Sequence, residues 1–122
     1  MIRILYVDDE PDIREVALMA LGLDAEFEAS GCASGMEAVE ALQSSKPDLV
    51  LLDVMMPVMD GPATLRAIRS HPEGASVPIV FITARTQQAE VDSLMALGAA
   101  GVIAKPFDPM TLAARVREHL RP

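Results

Sequence analysis

Short, nearly continuous apolar runs recur along the chain and constrain its fold more than any other feature. Three of them, residues 2–7, 49–52 and 79–82, consist mostly of leucine and β-branched residues. Runs of this length and composition are typical of parallel strands that are covered on both faces. Residues 102–104 form a shorter apolar run, and residues 25–29 alternate as an edge strand does. The pattern therefore predicts five strands.

Segments with the period of amphipathic helices lie between these strands. Pro11 is expected to open the first helix, which ends before Gly22. The other end signals are a capping box at Ser34 and Glu37, Asp60-Gly61 before the third helix, Gly98 after the fourth and Asp108-Pro109 before the fifth. The side chains expected to face the core are Ile13, Val16, Ala17, Ala20, Leu65, Ile68, Val91, Leu94, Met95, Leu112, Ala113, Val116 and Leu120.

Alternation of strands and helices with short connections predicts an α/β fold, a parallel sheet with helices on both faces. The length of 122 residues suits one domain, residues 1–122. Right-handed crossovers leave few topologies for five strands. In one of them, the order 2-1-3-4-5, the strand order reverses between the first and third strands, which opens a crevice at their carboxyl ends.

Composition narrows the class of function. Ten basic and eighteen acidic residues give a net charge of -8, which repels nucleic acid, so direct nucleic-acid binding by this chain is not expected. No apolar run reaches the ~18 residues that span a bilayer, and no signal-peptide pattern is visible. A soluble cytoplasmic protein is expected. Cys32 is the only cysteine, which excludes an internal disulfide and a cysteine-based zinc site and predicts a small buried residue.

Polar residues follow the predicted strands at the point where each strand ends. Asp8 and Asp9 follow the first strand, Asp53 the third, Thr83 the fourth and Lys105 the fifth. Each residue taken alone has an ordinary explanation as a turn residue or a helix cap. Their coincidence at one edge of the sheet favours a functional site, because open parallel sheets bind ligands beyond the carboxyl ends of their strands.

The chemistry of this set points to phosphoryl transfer. Three carboxylates in one crevice repel each other, and a hard cation with oxygen ligands removes that repulsion. Mg²⁺ fits best because it takes one or two carboxylates and accepts a phosphate oxygen. Lys105 adds a positive charge and Thr83 a hydroxyl group. An aspartate such as Asp53 can itself act as the nucleophile and form an acyl phosphate.

These residues and their spacing resemble the receiver domains of two-component response regulators. The resemblance extends from Ile2 to about Leu120. It rests on VDDE at 7–10, LLDVMMP at 51–57, MDG at 59–61, ITA at 82–84, LGA at 97–99 and AKPF at 104–107. The resemblance implies a flavodoxin-like (βα)5 three-layer sandwich whose five parallel strands have the order 2-1-3-4-5.

The resemblance also implies a role for each matched residue. Asp53 is the expected phosphoacceptor. Asp9 and Asp53 are expected to bind Mg²⁺ directly and Asp8 through water, and the backbone carbonyl of Met55 is expected to complete the protein ligands. Lys105 is expected to pair with Asp53 and later with the phosphoryl oxygen.

Further expectations concern the surroundings of the acceptor. Thr83 is expected to hydrogen-bond the phosphoryl group, Ala84 to leave room for it, and the Lys105–Pro106 peptide to be cis. One position departs from the family. Many members carry Tyr or Phe three residues before the lysine, where this chain has Val102. The departure predicts a smaller or differently located change on the fourth and fifth helices after phosphorylation.

The implied function is a phosphorylation-dependent signalling switch. A histidine kinase or a histidine phosphotransfer protein is expected to donate a phosphoryl group from phosphohistidine to Asp53, which changes the binding of a downstream protein. The domain is expected to assist its own phosphorylation and dephosphorylation without being a conventional enzyme. Binding to a membrane is not expected.

Alternatives to this function stay open. Because the chain starts at Met1 and stops after the fifth helix, a single-domain regulator is expected. The alternative is a receiver cut from a longer regulator with a DNA-binding or enzymatic output. A magnesium-dependent aspartyl-phosphate phosphohydrolase is disfavoured because Met55 stands where such enzymes usually carry a second aspartate. A pseudo-receiver is disfavoured because every residue of the acceptor site is present.

Overall fold

The computed structural model describes residues 1–120 of the chain. These residues form strands and α-helices in strict alternation, with one short 3₁₀ helix at Pro72–Gly74. The elements are β1 Ile2–Val7, α1 Pro11–Leu21, β2 Phe27–Cys32, α2 Gly35–Ser45, β3 Leu49–Asp53, α3 Gly61–Arg69, β4 Ile79–Thr83, α4 Gln88–Ala96, β5 Gly101–Ala104 and α5 Leu112–Arg117.

The strands form one sheet in the order β2-β1-β3-β4-β5, and each neighbouring pair is parallel. The predicted fold class and strand order are therefore confirmed. Because β1 lies between β2 and β3, the chain leaves β1 toward one side and β3 toward the other. The carboxyl ends of these two strands consequently flank an open crevice, which is where ligands bind in sheets of this kind.

Each face of the sheet has its own apolar layer, and β1 contributes to both. Ile4 and Tyr6 point into the layer that α1 and α5 cover, whereas Leu5 and Val7 point into the layer covered by α2, α3 and α4. Every residue of β3 and β4 is buried. Burial on both faces explains why these strands read as continuous apolar runs in the sequence.

The predicted capping residues of α2 and α3 are confirmed. Ser34 Oγ accepts a hydrogen bond from the Glu37 amide at 3.1 Å, and Glu37 Oε1 accepts one from the Ala33 amide at 3.0 Å. Asp60 Oδ1 accepts a hydrogen bond from the Ala63 amide at 2.9 Å. These caps fix the starts of α2, which follows β2, and of α3, which follows β3.

The predicted position of β2 is wrong by two to three residues. The strand was expected at residues 25–29, but it spans Phe27–Cys32. Asp24 causes the late start: its Oδ1 accepts a hydrogen bond from the Glu26 amide at 2.9 Å, and its carbonyl accepts one from the Phe27 amide at 3.0 Å. These bonds hold residues 24–26 in a turn. Pairing with β1 then carries the strand on to Cys32, which is buried as predicted.

Three helices also differ from their predicted form. The start of α5 was expected at Asp108-Pro109, but Asp108 instead closes a turn by accepting hydrogen bonds from the amides of Met110 and Thr111. The α-helix therefore begins at Leu112. Val16 on α1 and Met95 on α4 were expected in the core but are 44% and 41% exposed. Only Ala17, Ala20 and Leu21 of α1 and Leu94 of α4 are buried, so the buried face of each helix is narrower than its apolar face.

Candidate functional site

The carboxyl ends of β1 and β3 bring three acidic side chains together. Asp8 and Asp9 follow β1, and Asp53 is the last residue of β3. One carboxylate oxygen from each lies within 4.8 Å of the other two. Asp8 is 0% and Asp53 is 3% exposed, so bulk water screens their charges poorly. The structure thus assembles the acidic cluster that the sequence predicts.

The Lys105 side chain reaches into this cluster from the loop after β5. Its Nζ lies 3.2 Å from Asp8 Oδ2, 3.4 Å from Asp53 Oδ2 and 3.3 Å from Glu10 Oε1. The Lys105–Pro106 peptide is cis, as expected. One ammonium group therefore faces three carboxylates, which leaves the site short of positive charge.

Two contacts of this site were not predicted from the sequence. Glu10 follows Asp9 directly, yet its pairing with Lys105 depends on the loop after β5. Tyr6 lies within β1 and donates a hydrogen bond from its hydroxyl group to Asp8 Oδ2 at 3.0 Å. A tyrosine two residues before a strand-end aspartate, on the same face of the strand, is the signal that could have revealed the second contact.

Backbone contacts fix the loop between β1 and α1. Asp8 Oδ1 accepts a hydrogen bond from the Glu10 amide at 3.0 Å. The Asp8 carbonyl accepts one from Arg14 Nη1 at 2.7 Å. The Asp8 amide donates to the Cys32 carbonyl at 3.1 Å, which ties the loop to β2. Asp8 is consequently held by its side chain and by both of its backbone polar groups.

The pKa values of Asp53 and its neighbours reflect this crowding. Burial first, and then the negative charge of Asp8, raise the pKa of Asp53 from 3.8 to about 6, against the opposing effect of Lys105. Burial lowers the pKa of Lys105, but the charges of Asp53 and Asp8 outweigh burial and raise it above its ordinary value. Burial and the neighbouring Asp8 also raise the pKa of the Tyr6 hydroxyl. Burial and the charge of Asp8 thus both disfavour the ionised form of Asp53.

The cluster has the donor set of a magnesium site. It offers hard carboxylate oxygens at one point, and the single ammonium group of Lys105 leaves excess negative charge there. Mg²⁺ prefers such oxygen ligands and keeps several waters. Asp8, Asp9 and Asp53 fit this ion. The Met55 amide lies 3.4 Å from Asp53 Oδ1, which places Met55 beside the cluster, while the role of its carbonyl as a ligand stays a prediction.

An open cleft of about 410 Å³ leads from the surface to Asp53, lined by Glu10, Ile13, Asp53, Met55, Ala84, Lys105 and Pro106. Ala84 is exposed at its edge, so a small side chain leaves the approach to Asp53 open. Thr83 is buried at the end of β4, and its Oγ1 accepts a hydrogen bond from the Arg85 amide at 3.0 Å. The cleft has room for a phosphoryl group beside Asp53 and Lys105.

Val102 lies on β5, at the position where the sequence resemblance would lead one to expect an aromatic residue. Its side chain is half-buried against the layer formed with α2, α3 and α4. A second cavity of about 240 Å³ lies between the strand ends and α4, lined by Val54, Met55, Thr83, Arg85, Glu90, Ser93 and Leu94. The space next to Thr83 is therefore open to solvent, with no ring from β5 to fill it.

Comparison with known proteins identifies the family. The sequence profile described as "Response regulator receiver domain" matches residues 4–117, almost the entire chain. The chain belongs to the response-regulator receiver domains. Receiver domains are signalling modules and not conventional enzymes. Among residues 1–120, this receiver domain has no helix that is both long and apolar enough to cross a membrane.

Relatives of this receiver domain differ in length. The DNA-binding response regulator MtrA of Mycolicibacterium smegmatis is 40% identical over 119 residues, which are 98% of this chain and 50% of MtrA. The transcriptional regulatory protein CseB of Streptomyces avermitilis is 36% identical, over 97% of this chain and 48% of CseB. The chain thus spans about half the length of these relatives. The chemotaxis protein CheY4 of Vibrio cholerae superposes with a TM-score of 0.90 at 34% identity, over 98% of this chain and 99% of CheY4.

Proposed function

We propose that this receiver domain is a switch that accepts a phosphoryl group from phosphohistidine on Asp53 with bound Mg²⁺ and thereby changes its binding to a partner protein. The observation that carries the proposal is the position of Asp53, which is buried at the base of a cleft with Asp8, Asp9 and Lys105 around it. Family membership supports the same function.

The transfer exchanges one bond to phosphorus for another. A carboxylate oxygen of Asp53 attacks the phosphorus atom, the P–N bond to the donor histidine breaks, and the histidine nitrogen keeps the bonding electrons. When bound, Mg²⁺ supplies positive charge against the three phosphoryl oxygens. Lys105 Nζ, now 3.4 Å from Asp53 Oδ2, is placed to pair with a phosphoryl oxygen.

Thr83 is proposed to detect the phosphorylated product. Its Oγ1 accepts a hydrogen bond from the Arg85 amide, so its own O–H remains available as a donor. Donation to the phosphoryl group would move the loop between β4 and α4. Because this loop is exposed and α4 buries only Leu94, its movement disturbs few core contacts. The phosphoryl group thus favours one of two arrangements of this loop.

The phosphodonor is proposed to be a histidine kinase or a histidine phosphotransfer protein. An apolar cavity of about 250 Å³ adjoins the site, lined by Asp12, Ile13, Val16, Lys105, Pro106, Phe107 and Pro109. It lies between α1 and the loop that carries Lys105. A helix that docks there would bring its histidine to the mouth of the cleft above Asp53. The exposure of Val16, which the sequence did not predict, fits this role.

We propose two alternative outputs for the switch, each supported by a different relative. The match to half of MtrA favours a receiver that controls a DNA-binding segment of the same polypeptide. The match to almost all of CheY4 favours a free-standing receiver, residues 1–122, that binds a separate protein. Either way, we propose that the chain acts in the cytoplasm, as receiver domains typically do, and that nucleic acid and membranes are not bound by the receiver itself. The net charge of -8 supports the last point.

Phosphorylation can be tested by the intact mass of the protein after incubation with acetyl phosphate and Mg²⁺. The expected result is one added phosphoryl group on the chain without a substitution. None is expected on Asp53→Asn, or on either protein after chelation of the metal. Glu10→Gln is the matched control, because it changes an acid that contacts Lys105 but leaves Asp53 in place.

The outcomes separate the proposal from its alternatives. An adduct that persists in Asp53→Asn would place the phosphoryl group elsewhere. No adduct with acetyl phosphate, with a histidine kinase or with beryllium fluoride would favour a pseudo-receiver. Steady release of phosphate from free phosphomonoesters would favour the phosphohydrolase.

A further inference from the structure

A tyrosine lies directly beneath the acidic cluster, on the face of β1 toward α1 and α5. Tyr6 is 0% exposed, and its hydroxyl group donates a hydrogen bond to Asp8 Oδ2 at 3.0 Å. Its ring packs edge-on against Phe107, with ring centroids 6.5 Å apart and planes at 71°. Tyr6 therefore contacts a predicted metal ligand at one end and the loop that carries Lys105 at the other.

Tyr6 is the only hydroxyl-bearing member of its apolar layer among the described residues. The other strand residues in its apolar layer are aliphatic or phenylalanine: Ile4, Phe27, Leu49, Leu51, Val80, Ile82 and Ile103. A buried hydroxyl group destabilises the fold unless it is hydrogen-bonded. In this layer the hydroxyl group finds its partner at the site itself, in the carboxylate of Asp8.

Asp8 is held by three donors, and they are not equivalent. Oδ1 accepts a hydrogen bond from the Glu10 amide, and Oδ2 accepts bonds from Tyr6 and Lys105. Lys105 is shared with Asp53 and Glu10. If Lys105 turned toward a phosphoryl oxygen, Tyr6 would be the donor left on Asp8 Oδ2.

We propose that Tyr6 is a positioning residue of the metal site, whose hydroxyl group keeps the Asp8 carboxylate oriented toward Asp9 and Asp53. The role deepens the proposed function and rests on its Mg²⁺ site. Partners that orient metal ligands through hydrogen bonds typically change metal affinity by about 10- to 100-fold when removed. Tyr6→Phe removes only the hydroxyl group and keeps the ring that packs against Phe107.

The test is a titration of the unphosphorylated protein with Mg²⁺, followed by amide chemical shifts. Tyr6→Phe is expected to bind Mg²⁺ about tenfold more weakly than the unmodified chain. The matched control is Thr64→Val, which removes another fully buried hydroxyl group whose hydrogen bond goes to the Asp60 carbonyl at 2.8 Å. The control is expected to bind Mg²⁺ with unchanged affinity. Equal affinity of Tyr6→Phe and the unmodified chain would overturn the role of Tyr6.

Failure of the metal site itself gives a different result, since the unmodified chain would then show no saturable Mg²⁺ binding. A second measurement does not depend on any variant. Tyr6 is the only tyrosine and the chain has no tryptophan, so the ultraviolet emission of the protein reports on this one phenol. Emission depends on the hydrogen-bond partner of the hydroxyl group, and in this proposal the bond from Tyr6 to Asp8 persists when Mg²⁺ binds. The emission is therefore expected to stay that of a phenol hydrogen-bonded to a carboxylate through saturation. A change to the emission of a phenol without this partner would contradict the proposal.

Discussion

Substitution of the acceptor by asparagine should stabilise the metal-free protein at neutral and alkaline pH. Asp53 is 3% exposed and faces Asp8, which is fully buried, so its ionised form is destabilised in the folded state. Asp53→Asn keeps the size and one acceptor oxygen of the side chain but removes its charge. The same reasoning explains why the site has the character of a cation site.

The structure sets the magnitude and sign of this effect. Burial and then the charge of Asp8 raise the pKa of Asp53 from 3.8 to about 6. At about 1.4 kcal/mol per pKa unit, this rise corresponds to roughly 3 kcal/mol. Since the folded pKa is the higher one, the folded state binds more protons than the unfolded state between these pH values. The free energy of unfolding therefore falls as the pH rises from about 4 to about 6, and the loss is complete above that range.

Urea unfolding of both proteins in the presence of a chelator checks the prediction. We expect the free energy of unfolding of Asp53→Asn to exceed that of the unsubstituted chain by about 2–3 kcal/mol at about pH 8. This difference should shrink toward pH 4. Equal slopes with urea would show that the unfolded states are comparable. A difference between the two proteins that does not vary with pH would refute the reasoning, because a packing effect has no reason to follow the titration of Asp53. Saturating Mg²⁺ should reduce the difference by stabilising the unmodified chain.

Three further predictions follow. Val58 is fully exposed at a left-handed φ of 67°. Val58→Gly should therefore raise the free energy of unfolding, measured with urea, by about 1 kcal/mol. Val58→Ala keeps Cβ and should raise this free energy less. Lys105→Met should slow phosphorylation by acetyl phosphate about 10²-fold in a time course of intact mass, and an unchanged rate would exclude Lys105 from the transfer. Since Val102 replaces an aromatic ring, phosphorylation should shift the amides near Thr83 and the start of α4 more than those of β5 and α5, and a pattern centred on β5 would contradict this.

The parts of the fold that depend on local sequence were predictable. Continuous burial of β3 and β4 appears in the sequence as unbroken apolar runs, and the caps Ser34 and Asp60 act on amides three residues away. The strand ends placed Asp8, Asp53 and Lys105 correctly, because parallel strands end at one edge of their sheet. These features need no knowledge of distant contacts.

The errors fall where a competing local turn or a distant contact decides the outcome. The bounds of β2 follow from pairing with β1 and from the turn at Asp24, and neither is visible in the alternating pattern of residues 25–29. Apolar residues on α1 and α4 were assigned to the core by period alone. Val16 and Met95 are exposed in the structure. The helical period shows which residues share a face of a helix, but it does not show how much of that face a neighbouring element covers.

The site shows the same division at the level of single side chains. The sequence identifies the acids and the lysine that meet at the site, but it does not show which donors each carboxylate receives. Asp8 Oδ2 accepts a hydrogen bond from Lys105, which lies 97 residues away in the sequence, and one from Tyr6, which reaches the same oxygen from within the apolar layer. In the proposed cycle the two donors have different roles. Lys105 would turn toward the phosphoryl group, while Tyr6 would keep its hydrogen bond to Asp8. Aspartates, lysine and threonine at the strand ends are therefore sufficient to predict the site. The buried Tyr6, which contacts the site from the core, has no such signal at the strand ends.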